Sequence, residues 1–319
     1  MKLFEHPDFE QAVLRAEQHF KKDGLRAAVI EKDYYVTEAL RIIAAQGDKV
    51  IFKGGTSLSK GWNLINRFSE DIDIFVDPDA YSPALSGRPL DRELKSLRDS
   101  ISAFPALTHL PGESQTIGGF GRNDRFEYRQ RFGGAGEVVN RVLLEAGTAS
   151  GRQPTEIVNL RSYLAQFLQE TGATLGAEDE SAFPMRLLHF RRTFVEKLFA
   201  IHSKIELMKS QGQPLGSYAR HYYDLYRLSL RPEVMSMLAS DEYAEIKSDY
   251  DRISRAYFSK SYFSPQGMSF ANSDALFPSA ALAANIESQY EMQCKLLCYG
   301  EYPSWPQVRG RFEEMKKVL

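Results

Sequence analysis

The sequence predicts an α+β protein in which a small mixed sheet with flanking helices is followed by a mainly helical part. Three observations lead to this fold class. A short apolar run at 50–52 ends in two glycines, and residues 71–76 alternate polar with apolar, which is typical of strands. After about residue 185, nearly every segment shows helical periodicity. We therefore expect two domains, 1–160 and 161–319.

The individual elements follow from the same periodicities and from turn residues. The predicted helices are 7–21, 26–46, a helix capped by Thr56 or Ser57 that runs to about Leu64, 90–103, 191–210, 217–229, 232–258, 278–299 and 305–318. The predicted strands are 50–52, 71–76, parts of the glycine- and arginine-rich segment 111–137 such as 125–129, 138–146 and 156–160.

The composition is that of an ordinary globular protein. Of the 319 residues, 43% are hydrophobic and 26% are charged, which is enough to build a packed core. The formal net charge of -2 gives no general attraction for a polyanion, so a nucleic-acid partner would need a local basic patch. The first residues carry acids and no apolar stretch, and no long apolar run occurs. We expect a cytoplasmic protein without a signal peptide or a membrane span.

Two cysteines, Cys294 and Cys298, stand on a predicted helix. Their spacing does not suit a zinc site, and no second His or Cys pair lies nearby in the sequence. We expect two free thiols in a reducing compartment.

The chemically informative stretch begins where the first predicted strand ends in Gly54 and Gly55. Glycines allow the backbone to approach a ligand closely, and a helix N-terminus that follows offers free N–H groups to an anion. Asp71 and Asp73 come next on a predicted strand, where residues i and i+2 point to the same face. Two carboxylates on one face repel each other unless a cation lies between them. A phosphate-binding turn beside a divalent-metal site is what phosphoryl or nucleotidyl transfer requires, although a tight turn beside a solvated edge strand is the simpler alternative.

The string GGTSLSKGWNLINRFSEDIDIF resembles the signature of the AbiEii/AbiGii toxin group within the DNA polymerase β-like nucleotidyltransferases. That signature combines a GG[ST] turn with an R-F-S-x-D-[IL]-D strand. The resemblance extends to IEKDYY at 30–35, FVEKL at 194–198 and RHYYDLY at 220–226, in the order of the family. The last ninety residues resemble the family only in being helical.

The resemblance implies a polymerase β-like core, with the NTP in a cleft completed by the helical domain. Asp71 and Asp73 would hold Mg²⁺, or alternatively Mn²⁺, and Lys197 would neutralise phosphate charge. Asp224 matches the later aspartate of the family's D-x-x-D-L block and counts as catalytic; His221 stands where many members have an acid, so its role stays open. The implied nucleotide-binding residues are Gly54, Gly55, Thr56, Ser57, Arg67, Ser69 and His221.

A third carboxylate on a neighbouring strand usually activates the attacking hydroxyl in such enzymes. Glu145 is the first candidate, although Arg141 and Leu143 would share its face, and Glu127 is the second. Each is equally compatible with a surface or ion-paired glutamate.

Several other charged residues have competing interpretations. Arg67 suits a phosphate contact or a surface position equally well, whereas Lys53 and Lys60 favour structural or solvated roles. Lys32 and Asp33, as neighbours on a helix, read as surface residues from periodicity alone. The segment 122–131 interleaves four arginines with two aromatics, which suits single-stranded RNA or a solvated hairpin.

Together these features predict a magnesium-dependent nucleotidyltransferase that moves NMP from an NTP to an acceptor hydroxyl. The resemblance implies the toxin of a type IV toxin–antitoxin or abortive-infection system, with a cognate antitoxin and tRNA 3′ ends as the preferred acceptor. The alternatives are nucleotidylation of a protein or small molecule, and a catalytically silent nucleotide-binding module.

Overall fold

The computed structural model describes residues 1–69, 71–133 and 138–319. Glu70, from the RFSEDID string, and residues 134–137, from the predicted segment 111–137, lie outside the described residues. The chain divides into two compact units. The first comprises Met1–Asn63, Phe68–Thr148 and Thr155–Leu188, and the second comprises Leu64–Arg67, Ala149–Pro154 and His189–Leu319.

A mixed sheet forms the centre of the first unit. Among the described residues its strands are β1 (Val50–Lys53), β2 (Asp71–Val76), β3 (Thr108–His109), β4 (Gln115–Ile117), β5 (Gly121–Glu127), β6 (Arg141–Gly147), β7 (Thr155–Leu160) and β8 (Phe183–Leu188). Their order is β3-β5-β6-β2-β1-β8-β7, with β4 paired to β5. Neighbours run antiparallel except β2 with β6 and β1 with β8. A mixed sheet with helices agrees with the expected α+β class.

The helices of the first unit follow the predicted pattern, except that the helix Tyr163–Thr171 was not predicted and that the predicted cap at Thr56 or Ser57 is wrong. They are α1 (Phe9–His19), α2 (Ala27–Ala44), α3 (Gly54–Thr56, continued as a π-helical turn over Ser57–Gly61), α4 (Gly87–Ser102) and α5 (Tyr163–Thr171). The predicted cap at Thr56 or Ser57 is wrong, because the helical turn already begins at Gly54, with extended Lys53 as its N-cap. The positive φ of Gly54, 76°, allows the chain to leave β1 and turn at once.

Helix α2 carries charged residues that are buried, so the surface interpretation of Lys32 and Asp33 is wrong. Lys32 is 1% exposed and donates to the Val139 carbonyl at 2.9 Å. Asp33 forms an ion pair with Lys60 at 2.6 Å, and the side chains of Asp33 and Lys60 are 10% and 5% exposed. The periodicity misleads here because α2 packs against α1, α4, α5, β6 and β8, so even its polar positions face protein.

Glu31, on the same helix, is fully buried and holds the chain that follows β5. Its carboxylate accepts from the backbone N–H of Arg131 at 2.9 Å and of Phe132 at 3.0 Å. Burial raises the pKa of Glu31, while these two N–H groups oppose that shift. The IEKDYY block is therefore an interior support of the first unit.

The described residues of the second unit fold mainly as helices. These are α6 (Phe190–Gln211), α7 (Arg220–Ser229), α8 (Pro232–Leu238), α9 (Asp241–Tyr257), α10 (Ala280–Leu297) and α11 (Trp305–Met315). The single helix predicted over 232–258 is wrong, because the chain breaks at Ala239 and restarts after extended Ser240, a residue type favoured before helices. Cys294 and Cys298 are free thiols, as expected. Within the described residues, no helix is both long and apolar enough to cross a bilayer.

Replacing Glu31 tests its supporting role. We expect Glu31→Ala to lower the free energy of unfolding by about 2–4 kcal/mol, because it strands two backbone donors and opens a cavity. The control is Glu10→Ala, which removes an exposed carboxylate that also pairs with Arg131 and should change stability by less than about 1 kcal/mol. Urea denaturation measures both. Equal midpoints for the two variants would contradict the assignment.

Candidate active site

Four polar side chains form a row across four adjacent strands of the first unit. Asp73 on β2 lies opposite Lys53 on β1 and opposite Glu145 on β6, and Glu145 lies opposite Asn123 on β5. Residues directly opposite in a sheet have Cβ atoms about 4.5–5.5 Å apart. The alternation of β2 places Ile72 in the core on the other face, as predicted. The row order is Lys53, Asp73, Glu145 and Asn123.

The row concentrates negative charge around Glu145. The pKa of Glu145 is raised to about 7, first by burial and then by the carboxylates of Asp73 and Asp71, whereas Lys53 opposes the shift. Asn123 Nδ2 donates to Glu145 Oε1 at 3.0 Å. The like charges of the two aspartates repel the Glu145 carboxylate.

A divalent cation would relieve this repulsion, and the donor chemistry suits it. Mg²⁺ is commonly bound through one or two carboxylates together with substrate phosphates and waters. Within the described ranges, no group of three or more His, Cys, Asp or Glu side chains is arranged to hold a metal ion by itself. By its donor chemistry alone, the carboxylate pair Asp71 and Asp73 suits a metal that also binds a phosphate, and its ligand role stays a prediction.

Gly54 permits the close approach between the end of β1 and Asp73. A Cβ atom at Gly54 would lie 2.0 Å from Asp73 Oδ2, and the φ of +76° already disfavours any other residue. The sequence predicted that the GG turn lets the backbone approach a ligand; the structure shows the close approach of Gly54 to Asp73, and the contact with a ligand stays a prediction.

The hydroxyl groups of Thr56 and Ser57 form hydrogen bonds with other atoms of the protein. Ser57 Oγ donates to the Gly54 carbonyl at 2.9 Å, and Thr56 Oγ1 lies 3.0 Å from Ser69 Oγ. Thr56 and Ser57 are buried. The contact between Thr56 and Ser69 joins the turn to the chain that enters β2. The roles of Gly55, Thr56, Ser57 and Ser69 in binding phosphate stay predictions.

The two candidates for the third carboxylate differ in their surroundings. Glu127 lies four positions along β5 from Asn123 and forms an ion pair with Arg141. At about 3.3 Å per residue, that displacement is about 13 Å. Only Glu145 is brought into register with Asp73. The sequence offered no sign of Asn123, because its inclusion depends on the register between β5 and β6.

A second charged cluster lies in the second unit. Asp224 on α7 accepts from Arg67 Nε at 2.6 Å and from Arg67 Nη2 at 2.8 Å, and Lys197 Nζ on α6 lies 2.8 Å from Asp224 Oδ2. His221 Nδ1 lies 3.1 Å from Lys197 Nζ. Arg67 and Asp224 are 1% and 0% exposed.

Burial and charge fix the protonation of this cluster. Arg67 and Lys197 hold the pKa of Asp224 well below its usual range against the effect of burial. Burial lowers the pKa of Lys197, and Asp224 opposes that shift. Burial, with Lys197 next, lowers the pKa of His221 to about 3. Near neutral pH the imidazole is therefore uncharged, and its Nδ1 accepts a hydrogen bond from the Lys197 ammonium.

The arginine- and aromatic-rich segment 122–131 is not an exposed stacking surface, which corrects that expectation. Phe126 is 0% exposed and Tyr128 is 2% exposed, with the Tyr128 ring stacked on Tyr35. Arg122 forms a buried ion pair with Asp124. Bases cannot stack on aromatics that belong to the core.

Neighbouring carboxylates beside a glycine turn, together with a lysine held by a buried aspartate, are the groups expected of a metal-assisted nucleotidyl-transfer enzyme. A family model described as "Nucleotidyl transferase AbiEii toxin, Type IV TA system" matches residues 38–294. This match covers most of the chain, so the chain belongs to the AbiEii nucleotidyl transferase toxin family. Membership implies an NTP substrate and an antitoxin partner. No curated protein and no solved structure matches the chain.

Gly54→Ala tests the approach of the turn to Asp73. We expect transfer activity to fall by about 100-fold or more, because the new methyl group must displace the Asp73 carboxylate. Gly47→Ala is a matched control, since Gly47 has a φ of +63° and nothing within 4 Å of a Cβ. It incurs a similar backbone strain of about 1–2 kcal/mol without touching the site. Equal activities of the two folded variants would refute this contact.

The raised pKa of Glu145 also predicts a stability effect. A carboxyl whose pKa is higher in the folded protein destabilises the fold once pH exceeds its unfolded pKa, and the full effect is present above the folded value of about 7. Glu145→Gln should therefore raise the Tm of the metal-free protein at about pH 8.5 and have little effect near pH 4. Glu127→Gln, which loses an ion pair, should give no such increase. An unchanged Tm for Glu145→Gln at high pH would count against the crowding of carboxylates.

Proposed function

We propose that the protein is a magnesium-dependent nucleotidyltransferase that moves NMP from an NTP to an acceptor hydroxyl, with a tRNA 3′ end as the acceptor. The single observation that carries the reaction is the register of Asp73 with Glu145, beside Gly54. Family membership supports the class of reaction. The metal and the acceptor are parts of the proposal.

In this reaction the acceptor oxygen forms a bond to the α-phosphorus, and the bond from that phosphorus to the bridging oxygen of pyrophosphate breaks. Glu145 accepts the proton of the attacking hydroxyl, and Asn123 Nδ2 holds its carboxylate by donating to Oε1. Asp71 and Asp73 hold the metal. When bound, Mg²⁺ supplies charge neutralisation of the phosphates.

Lys197 is the residue proposed to neutralise phosphate charge in the second unit. Its ammonium donates to Asp224 and to His221. An ammonium has three N–H groups, so with the partners found in the described part of the chain one remains for a phosphate oxygen. With Arg67 and Lys197 positive and Asp224 negative, the cluster has an excess positive charge that an anionic ligand would balance.

The tRNA acceptor is supported by the family resemblance alone. Some relatives add nucleotides to tRNA 3′ ends, whereas the buried aromatics of 122–131 lend no support. Protein and small-molecule acceptors are therefore distinguished by the product.

The test is incubation with total tRNA, Mg²⁺ and each α-labelled NTP, with and without the purified protein. We expect label on tRNA with at least one NTP, and a loss of about 10³-fold or more in Asp73→Asn. Asp77→Asn, a change just beyond the end of β2, is the control and should retain activity. Label on protein or on a small molecule would keep the enzyme class and reject tRNA. If no acceptor is labelled and no pyrophosphate is released, the proposal fails in favour of a silent nucleotide-binding module.

A further inference from the structure

We propose that Arg67 is a positioning residue that acts through Asp224 to aim the Lys197 ammonium, and that it does not contact the nucleotide. This inference rests on the phosphate-binding role proposed for Lys197. It gives a reason for the arginine of the RFSEDID string that differs from the phosphate contact implied by the family resemblance.

Arg67 and Lys197 share the carboxylate of Asp224. Arg67 engages both oxygens of Asp224, at 2.6 and 2.8 Å, and Lys197 reaches the second of them at 2.8 Å. A guanidinium is a planar fork, so a two-point contact fixes the plane of the carboxylate as well as its position. Once that plane is fixed, Oδ2 is presented to Lys197 from one direction.

The backbone around Arg67 is itself held by hydrogen bonds. The backbone of Arg67 pairs with Cys298, just beyond α10. Next to it, the Asn66 N–H donates to the Tyr223 hydroxyl at 3.0 Å, and the Asn66 carbonyl accepts from Tyr299 N–H at 2.8 Å. The segment that carries the guanidinium is therefore held at its base, and the orientation of Asp224 is set before any ligand binds.

Arg67 also sets the net charge of the cluster that it forms with Asp224 and Lys197. A carboxylate paired with Lys197 alone would leave the pair neutral, and that pair would have little attraction for an anion. Arg67 satisfies Asp224 independently, so that the ammonium keeps its charge uncompensated. Substitution of Arg67 by a neutral residue would therefore change both the direction of Lys197 and the net charge of the cluster, whereas a lysine at this position would change the direction alone.

The Lys197 ammonium has more N–H groups than partners among the described residues. Asp224 Oδ2 and His221 Nδ1 take two of its three N–H groups. Across residues 1–69, 71–133 and 138–319, no third acceptor is assigned to it. The Lys197 side chain is 7% exposed, whereas that of Arg67 is 1% exposed. Arg67 thus directs Nε and Nη2 at Asp224 and is almost fully buried, whereas Lys197 keeps one N–H available for a phosphate.

A double-mutant cycle separates positioning from direct contact. The variants are Arg67→Lys, which keeps the charge but loses the fork, Lys197→Met, and the two combined. If Arg67 acts only through Lys197, Arg67→Lys lowers kcat/KM by about tenfold or more in the wild-type background and by less than about twofold in the Lys197→Met background. Losses that multiply in the double variant would show an independent contact and overturn the inference. So would wild-type activity in folded Arg67→Lys.

Two further measurements keep the inference testable if a variant folds poorly or if no acceptor is found. Asp224→Asn, which is isosteric, should lower the rate as Arg67→Lys does and show the same dependence on Lys197. Calorimetric titration of the same variants with inorganic triphosphate and Mg²⁺ repeats the double-mutant cycle as a binding measurement, without any transfer reaction. Arg191→Lys, an exposed change on α6, is the control. Absence of transfer with a coupled binding cycle would reject the proposed reaction and keep the inference; additive binding losses would reject the inference alone.

Discussion

The parallel pairing of β2 with β6 is the constraint on which the candidate site depends. It sets Asp73 beside Glu145 in a partly buried position, where two carboxylates are unfavourable neighbours. A one-residue slip of this register would turn Glu145 to the opposite face of the sheet. The core residues Ile72 and Leu144, both 0% exposed, resist such a slip because it would expose them. The hydrophobic core thus enforces an electrostatically strained arrangement, as expected where function outweighs stability.

The two units carry opposite and complementary charge imbalances. In the first, Asp71, Asp73 and Glu145 outnumber Lys53, and the raised pKa of Glu145 records the excess. In the second, Arg67 and Lys197 share the single carboxylate of Asp224. A cation suits the one and an anion suits the other.

Sequence periodicity was sufficient to predict features that lie within a single helix, strand or turn. Alternation on β2 predicts that Asp71 and Asp73 share a face, and the strand, the glycine turn and most helices follow from short periodicities. Contacts between elements were not predictable in this way. Asn123 enters the row only through the register of β5, Lys32 is buried because α2 is surrounded, and the aromatics of 122–131 lie in the core because β5 is an inner strand.

The proposed reaction requires that Asp71 and Asp73 bind the metal that accompanies the nucleotide. A crystal structure with Mn²⁺ and a non-hydrolysable NTP analogue tests this, because anomalous scattering locates the ion. We expect an ion at about 2.0–2.3 Å from oxygens of both aspartates and of the triphosphate, with Glu145 adjacent. An ion bound elsewhere, for example at Glu127, with the nucleotide remote from β2, would contradict it.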